Sequence, residues 1–455
     1  MRVRYHCEFF DSDELKIYYP RNFKPKEEHS YVSFGSNVAE AECSRHPNGR
    51  NVISISSSLA KMLGIPRFVS NLCLFQDDET LYLGPLVGIF TSGFTPYQLL
   101  PVGERTKNFA KQMSVQTSVG AVPFLFGEKH IHWEKGMIHG YFYHDQTWKQ
   151  MNVPFPNVVY DRLPNRLSEK HPSFQKVKER MENDYLIPWY NPGFFNKLEL
   201  HERLCNDGRI EHYLPETHPF TSFSEIERMA KNYGHVYLKQ ADGSNGRKIR
   251  HVLYDSVSED FYCRFFDRQN RLYKFHSIEA LIHQLYKGRE TEKLIIQQGI
   301  RLIRINKRPV DFRVHVNKDD SGQWRVSAIA AKIAGKGSPT THIRFEGSVH
   351  SLEEIFPDEQ ECEHHRSKLK QAALDLAGAV EDHVGGIVGE IGFDLGIDQE
   401  GKVWMFEANS KPGRQIFSHP GLKESDLLTH KLALAFAVHL TETTIDSPQL
   451  LWEMQ

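Results

Sequence analysis

The spacing of apolar positions divides the chain into three stretches. Up to about residue 78, short runs such as Tyr31–Phe34 and Val52–Ile55 are separated by polar turns, the rhythm of short strands, and no chemical motif accompanies them. From residue 79 the run Leu81–Phe90 predicts one buried strand and Glu104–Val119 a helix. Ala121–Phe126 and Met137–His144 predict further strands, and Pro154–Tyr160 one more that enters a loop. Strands alternating with a helix predict an α/β unit that ends near residue 193.

From about Asn196 the pattern becomes that of antiparallel pairs. His235–Gln240, a glycine-rich loop and Ile249–Tyr254 predict a hairpin, and Lys293–Gln298 a strand ending at Gly299. Two more strands flank the turn Asp319–Gly322. Leu369, Ala373, Leu376, Val380 and Val384 recur at helical spacing within a long helix over Glu363–Val384. A last hairpin turns at Asp398–Gly401, and a helix over Lys423–Leu440 closes the unit.

Candidate chemistry concentrates in this third stretch. In Ile391–Ile397 followed by Lys402–Asn409, strand alternation sends Phe393, Leu395, Trp404 and Phe406 to one face. With an even-numbered loop between them, Asp394, Met405, Glu407 and Asn409 share the other, and the hydrophobic pattern favours that register. Two carboxylates and an amide oxygen on one face form a hard-oxygen cradle suited to Mg²⁺ held together with phosphates. An ordinary hairpin with outward polar side chains carries the same alternation.

Two further segments bring positive charge. Lys239 ends a strand and is followed by Ala241-Asp242-Gly243-Ser244-Asn245-Gly246, a loop able to fold over phosphates. It lacks the glycine spacing and Lys-Ser/Thr ending of a Walker loop, and a simple strand connection would read the same. In Val310–Val316, Asp311 and Arg313 share one face with Phe312 and Val314 opposite, and Lys332 and Lys336 follow after the next strand. Arginine and lysine converging on a phosphoryl group offset charge that builds during its transfer, whereas solvated charges on a surface strand are the plainer alternative.

Composition narrows the partners. Of 455 residues, 40% are hydrophobic and 25% charged, the make-up of a folded protein. Fifty-six basic against 58 acidic residues leave a net charge of −2, which gives no electrostatic case for nucleic acid. No run approaches the ~20 apolar residues of a membrane span, and the N-terminus lacks the apolar stretch of a secretory signal. Six cysteines without a C-x-x-C pair argue against a disulfide framework, so a cytoplasmic setting is expected. Among 24 histidines, Glu361-Cys362-Glu363-His364-His365 invites a metal reading, but it opens a predicted helix where polar residues normally face water.

The order of these pieces resembles the ATP-grasp superfamily. It begins with Asn196-Lys197-Leu198-Glu199-Leu200 and continues through Lys239 with its glycine loop, Ile295–Ile300 and Arg313 to Asp394…Glu407-x-Asn409. Asp242–Gly246, Asp311-Phe312-Arg313 and the ending Phe406-Glu407-Ala408-Asn409-Ser410-Lys411-Pro412-Gly413 are similar to the YheC/YheD family of endospore-forming bacteria. The resemblance implies an α/β (α+β) ATP-grasp domain over 194–445. It also implies a pre-ATP-grasp α/β domain over 79–193, after a β-rich N-terminal region, 1–78, of unnamed role.

For the site, the resemblance implies Mg-ATP between two sheets. By that resemblance adenine would lie against Gln297, Gln298 and Ile300, Lys197 and Lys239 would approach the phosphates, and Gly243, Ser244, Asn245 and Gly246 would form a lid. Met405 would join this nucleotide-binding set, Mg²⁺ would sit on Asp394, Glu407 and Asn409, and Arg313 and Lys332 would be catalytic. The implied reaction joins a small-molecule or peptide carboxylate to an amine or thiol through an acyl phosphate. The alternative is a spore-coat-associated nucleotide-binding or structural protein without ligase turnover, with spore-coat proteins as partners. One departure bears on this choice: where such proteins place an asparagine before a Gly-Gly pair, this chain reads Thr340-Thr341-His342-Ile343-Arg344-Phe345-Glu346-Gly347.

Overall fold

A computed structural model describes residues 3–241, 243, 249–286, 291–341 and 346–449. Its strands form four sheets. The first holds eight strands between Arg4 and Gly84, and its two edges, Asn37–Glu40 and Glu42–Arg45, are joined through Ala41 alone. The sheet therefore curls around its own core of Ile17, Val32, Phe34, Ile53, Ile55, Leu72 and Leu81.

The expected strand Leu81–Phe90 is two strands. Thr80–Gly84 belongs to the first sheet, and Leu86–Phe90 opens the second. Pro85 between them has no N–H to continue a ladder, so the chain changes sheets there and the first sheet runs past the boundary expected after residue 78. In the second sheet, Val122–Phe126, Leu86–Phe90, Val158–Asp161 and Trp189–Tyr190 lie side by side and parallel. The hairpin Met137–His144 with Thr147–Pro154 extends it. The helix expected over Glu104–Val119 is broken into Thr106–Ser114 and Gln116–Val119.

The third sheet is antiparallel, in the order Thr217–Pro219, Leu294–Gln298, His235–Gln240, Arg250–Asp255, Asp260–Asp267, Gln269–Phe275. Its core is built with helices Phe223–Tyr233 and Ile278–Leu285, each capped by a serine, Ser222 or Ser277. The fourth sheet runs Ser348–His350, Trp324–Ile333, Arg308–Lys318, Glu390–Ile397, Val403–Asn409. Helix Glu359–His383 buries Leu369, Ala373, Leu376 and Val380 against Phe312, Val314, Phe393 and Leu395 of that sheet. The closing helix, Lys423–Asp446, ties the fourth sheet to the second, with the Tyr190 hydroxyl donating to the Ala433 carbonyl at 2.8 Å. Linker Gln298–Leu302 leads from the third sheet to the fourth, and a cavity lies against it between them.

Among the described residues no helix is long and apolar enough to cross a membrane. The Glu361–His365 segment is helical: Cys362 is buried and His365 stacks on Phe356 with ring centroids 4.2 Å apart, a packing role.

Candidate nucleotide and metal site

The third sheet contributes one wall. Alternation along His235–Gln240 buries Val236 and Leu238 under the helices and turns Tyr237 and Lys239 into the cavity. Lys239 Nζ donates to Gln297 Oε1, and Gln297 Nε2 donates to Thr217 Oγ1 at 3.2 Å. The ammonium is 5.9 Å from the ring centroids of both Tyr237 and Phe406. Burial, reinforced by the nearby Lys197 charge, pushes its pKa down to about 8. The Gln298 side chain turns away to accept the Glu216 N–H at 3.0 Å, leaving Gln298 as an edge of the cavity beside Ile300.

The fourth sheet contributes the charged wall. Phe312 and Val314 are fully buried, and Asp311 and Arg313 face the other way, as alternation predicts. Arg313 grips Asp394 with two bonds, Nε to Oδ1 at 3.0 Å and Nη2 to Oδ2 at 2.9 Å. Lys332, a strand residue paired with Asp311 rather than a residue following its strand, donates to Asp394 Oδ1 at 2.7 Å and lies 3.0 Å from Asp311 Oδ1. Burial works against a charged Asp394, but Arg313 and Lys332 outweigh it and hold the carboxyl well below the usual range. Lys197, at the start of helix Lys197–Leu204, lies 3.3 Å from Glu407 Oε2.

The hairpin register differs from the expected one. Ile397 pairs with Val403, so the loop Asp398–Lys402 holds an odd number of residues. That register alone would set Phe406, not Glu407, across from Asp394. A β-bulge at Phe406 inserts one residue, after which Asp394 pairs with Glu407 and Gly392 with Asn409. Phe406 and Glu407 therefore both face the cavity, while Met405 is buried with Phe393 and Leu395. Met405, expected in the nucleotide-binding set, packs in the core and does not line the cavity, and Phe406 leaves the apolar layer assigned to it. Gly396 makes room for Phe406, since a Cβ there would lie 2.6 Å from that ring and from Leu302 Cδ2.

The cavity is thus lined by the apolar Tyr237, Ile300, Leu302 and Phe406 and by the charged Lys239, Lys332, Asp394 and Glu407. That mixture fits a nucleotide, with its base against the apolar side chains and its phosphates at the ions. The oxygens of Asp394, Glu407 and Asn409 lie on neighbouring register pairs and are a donor set of the kind Mg²⁺ takes. Asn409 Nδ2 is turned toward Gly392 O at 3.3 Å and Asp394 Oδ2 at 3.5 Å, so arginine and lysine cations stand where a metal would compete.

The family model described as YheC/D-like ATP-grasp matches residues 186–440. The endospore coat-associated protein YheD of Bacillus subtilis (strain 168) is 39% identical over 427 residues, spanning 93% of this chain and 93% of its own. The chain belongs to the YheC/D-like ATP-grasp family. Endospore coat-associated protein YheC of the same organism is 20% identical over 276 residues, 59% of this chain and 74% of its own. Among solved structures, the D-alanine–D-alanine ligase from Bacillus anthracis complexed with ATP aligns at 12% identity over 78% of this chain and 99% of that one. Its TM-score of 0.44 is too low to bear on function.

In this ATP-grasp chain, Gly243 donates its N–H to the Gln240 carbonyl at 3.0 Å. Ser244, Asn245 and Gly246, and half of the departing segment, His342–Phe345, lie outside the described residues. Thr341, just before that segment, lines the cavity and donates its hydroxyl to Asp311 Oδ2. Tyr237, Leu302 and Phe406 were not picked out as site residues by sequence. Tyr237 stands two positions before Lys239 on the same strand face, a signal that could have found it.

Proposed function

We propose that this protein binds Mg-ATP in the cavity between its third and fourth sheets and joins a carboxylate to an amine, or to a thiol, through an acyl phosphate. The observation that carries the reading is the pairing of Asp394 with Glu407 on a wall that also holds Arg313 and Lys332, facing Lys239 across a cavity lined in addition by apolar side chains. A carboxylate oxygen attacks the γ-phosphorus and the bond to the β–γ bridging oxygen breaks, releasing ADP. The amine lone pair then attacks the carbonyl carbon, and phosphate leaves with the C–O bonding pair while the amine gives up a proton.

Lys239 and Lys197 would hold phosphate oxygens, Gln297 would orient Lys239, and Tyr237, Ile300 and Phe406 would enclose the base. Gln298 would border the base, and the Gly243–Gly246 segment would cover the phosphates. Arg313 and Lys332 would meet the charge that builds on the transferring group. Asp394, Glu407 and Asn409 would hold Mg²⁺, which supplies charge neutralisation between phosphate oxygens. No protein nucleophile is needed.

Incubation with Mg-ATP and pools of small carboxylates and amines, followed by ADP and phosphate release, tests the reaction. A thermal shift with millimolar Mg-ATP tests binding separately, because a ligand of the folded state alone stabilises it. The curated relatives' names motivate a second reading, a spore-coat-associated nucleotide-binding or structural protein. Mg-ATP stabilisation without ADP release from any pool would favour it over the ligase.

A further inference from the structure

The four parallel strands of the second sheet lie in the spatial order Val122–Phe126, Leu86–Phe90, Val158–Asp161, Trp189–Tyr190. The chain leaves Leu86–Phe90 toward one side of the sheet and leaves Val158–Asp161 toward the other. Their carboxyl ends therefore flank the point where the winding reverses, and in open parallel sheets a crevice opens there because the two connections diverge. The residues delivered to that place are Thr91 and Arg105 from the first connection and Arg162 from the second.

Both arginines are held in place. Arg105 Nη1 donates to Thr91 Oγ1 at 2.8 Å and Nη2 to the Ser92 carbonyl, while Thr91 Oγ1 donates to the Arg162 carbonyl at 2.9 Å. Arg105 has no carboxylate partner among the described residues, although it is half-buried over the Phe109 ring; burial, and then the charge of Arg162, lower its pKa. Arg162 shares Glu390 with Arg414 and Tyr160, and its second nitrogen donates to the Pro412 carbonyl at 3.2 Å. Lys411 is matched to Asp161 at 2.6 Å. A half-buried guanidinium beside a second one, with no acid of its own, is an unmatched positive charge.

This switch point adjoins the ions of the cleft. Along strand Glu390–Ile397, Gly396 touches Leu302, Asp394 lies at the ions, and Gly392 lies against Pro412, the residue Arg162 contacts. His315, wholly buried against Gly392 and Phe417, has neither ring nitrogen hydrogen-bonded among the described residues, so this end also holds an unused polar group.

We propose that a crevice opens at this switch point beside Arg105 and Arg162 and is an anion-binding subsite, taking a phosphate or carboxylate group of the molecule whose other end reacts at Asp394. The ligand class is a small substrate with a second anionic group; the assignment to a reacting molecule rests on the ligase reading above, while the anion site itself does not. Arginine suits both groups because its planar fork matches paired oxygens.

Calorimetric titration of the full chain with inorganic phosphate, succinate and, as a weak monoanion, acetate, at constant ionic strength, tests it. The titrations are run with and without saturating Mg-AMPPNP. Phosphate or succinate is expected to bind at one saturable site, and whichever is tighter identifies the group. Arg105→Gln is expected to weaken that binding by about tenfold or more, the loss of a charge-assisted contact, while Arg105→Lys keeps part of it. Lys107→Gln, an exposed neighbouring cation, should leave it unchanged. Absence of saturable binding of both anions in the parent, or equal affinity in Arg105→Gln and the parent, overturns the subsite. Failure of Mg-AMPPNP itself to bind would overturn the nucleotide reading and leave the Arg105 result readable from the nucleotide-free titration.

Discussion

Glu390 and Asp394 sit on the same face of one strand, each gripped by arginine, and their surroundings differ. Glu390 accepts from the Tyr160 hydroxyl, from Arg162 at 3.3 Å and from Arg414 at 2.6 Å, with no exposure to solvent. Those donors come from the second sheet and from the loop after Asn409, so the cluster seals one unit against another. Asp394 takes donors from Arg313 on the adjacent strand and Lys332 on the strand beyond it, and its remaining side is the cavity. The same ion-pair chemistry thus serves architecture where every side meets protein, and a site where one side meets open space.

The largest contrast is expected from changing each acid to its amide. Asp394→Asn removes a charge from the proposed metal site and should lower ligase turnover by at least about a hundredfold, with a smaller loss of melting temperature than Glu390→Gln. Turnover and thermal melts of both variants check this, and full turnover in Asp394→Asn would remove the role assigned to it. Glu390→Gln should cost about 3 kcal/mol of stability, since it leaves buried arginines without their counter-charge. Urea unfolding measures that loss, and a variant as stable as the parent would make the cluster incidental.

The hairpin register sharpens the comparison further. Met405→Ala should destabilise the fold by about 2 kcal/mol with Mg-ATP affinity unchanged, because the side chain is core. Phe406→Ala should leave stability nearer the parent and weaken Mg-ATP binding, because the ring faces the cavity. Urea melts and calorimetry on the pair decide it, and the reverse pattern would restore the register of an even-numbered loop.

The smallest effect concerns pH. Lys239 has a folded pKa near 8, below its ordinary value, so the unfolded chain binds more protons above that pH and the protein gains stability as pH rises past 8. Mg-ATP should respond oppositely, because its phosphates favour the ammonium. Its affinity should fall above pH 8 by at most about tenfold per pH unit. Calorimetry from pH 7 to 9.5 tests this against Lys239→Met, in which the fall should vanish; an equal fall in the variant would assign it elsewhere.

Much of the cleft was legible because alternation is local. Asp311-Phe312-Arg313-Val314 needs only its own period to put ions on one face and core on the other, and the helix over Leu369–Val380 needs only its spacing. The residue types around Asp394, Glu407 and Asn409, and the chain order from Lys197 to Asn409, were likewise present in the sequence and carried the family resemblance. Tertiary structure alone decided which side of the hairpin Met405 and Phe406 occupy, because with a side-chain period of two the parity of the connecting loop sets the faces, and here it is odd. It also decided that Leu81–Phe90 divides between two sheets, since an apolar run shows burial without naming its partner strand. Arg105 and Arg162 were never singled out from sequence. They come from separate connections of one sheet, and their juxtaposition follows from the order in which parallel strands wind, which no local pattern of side chains encodes.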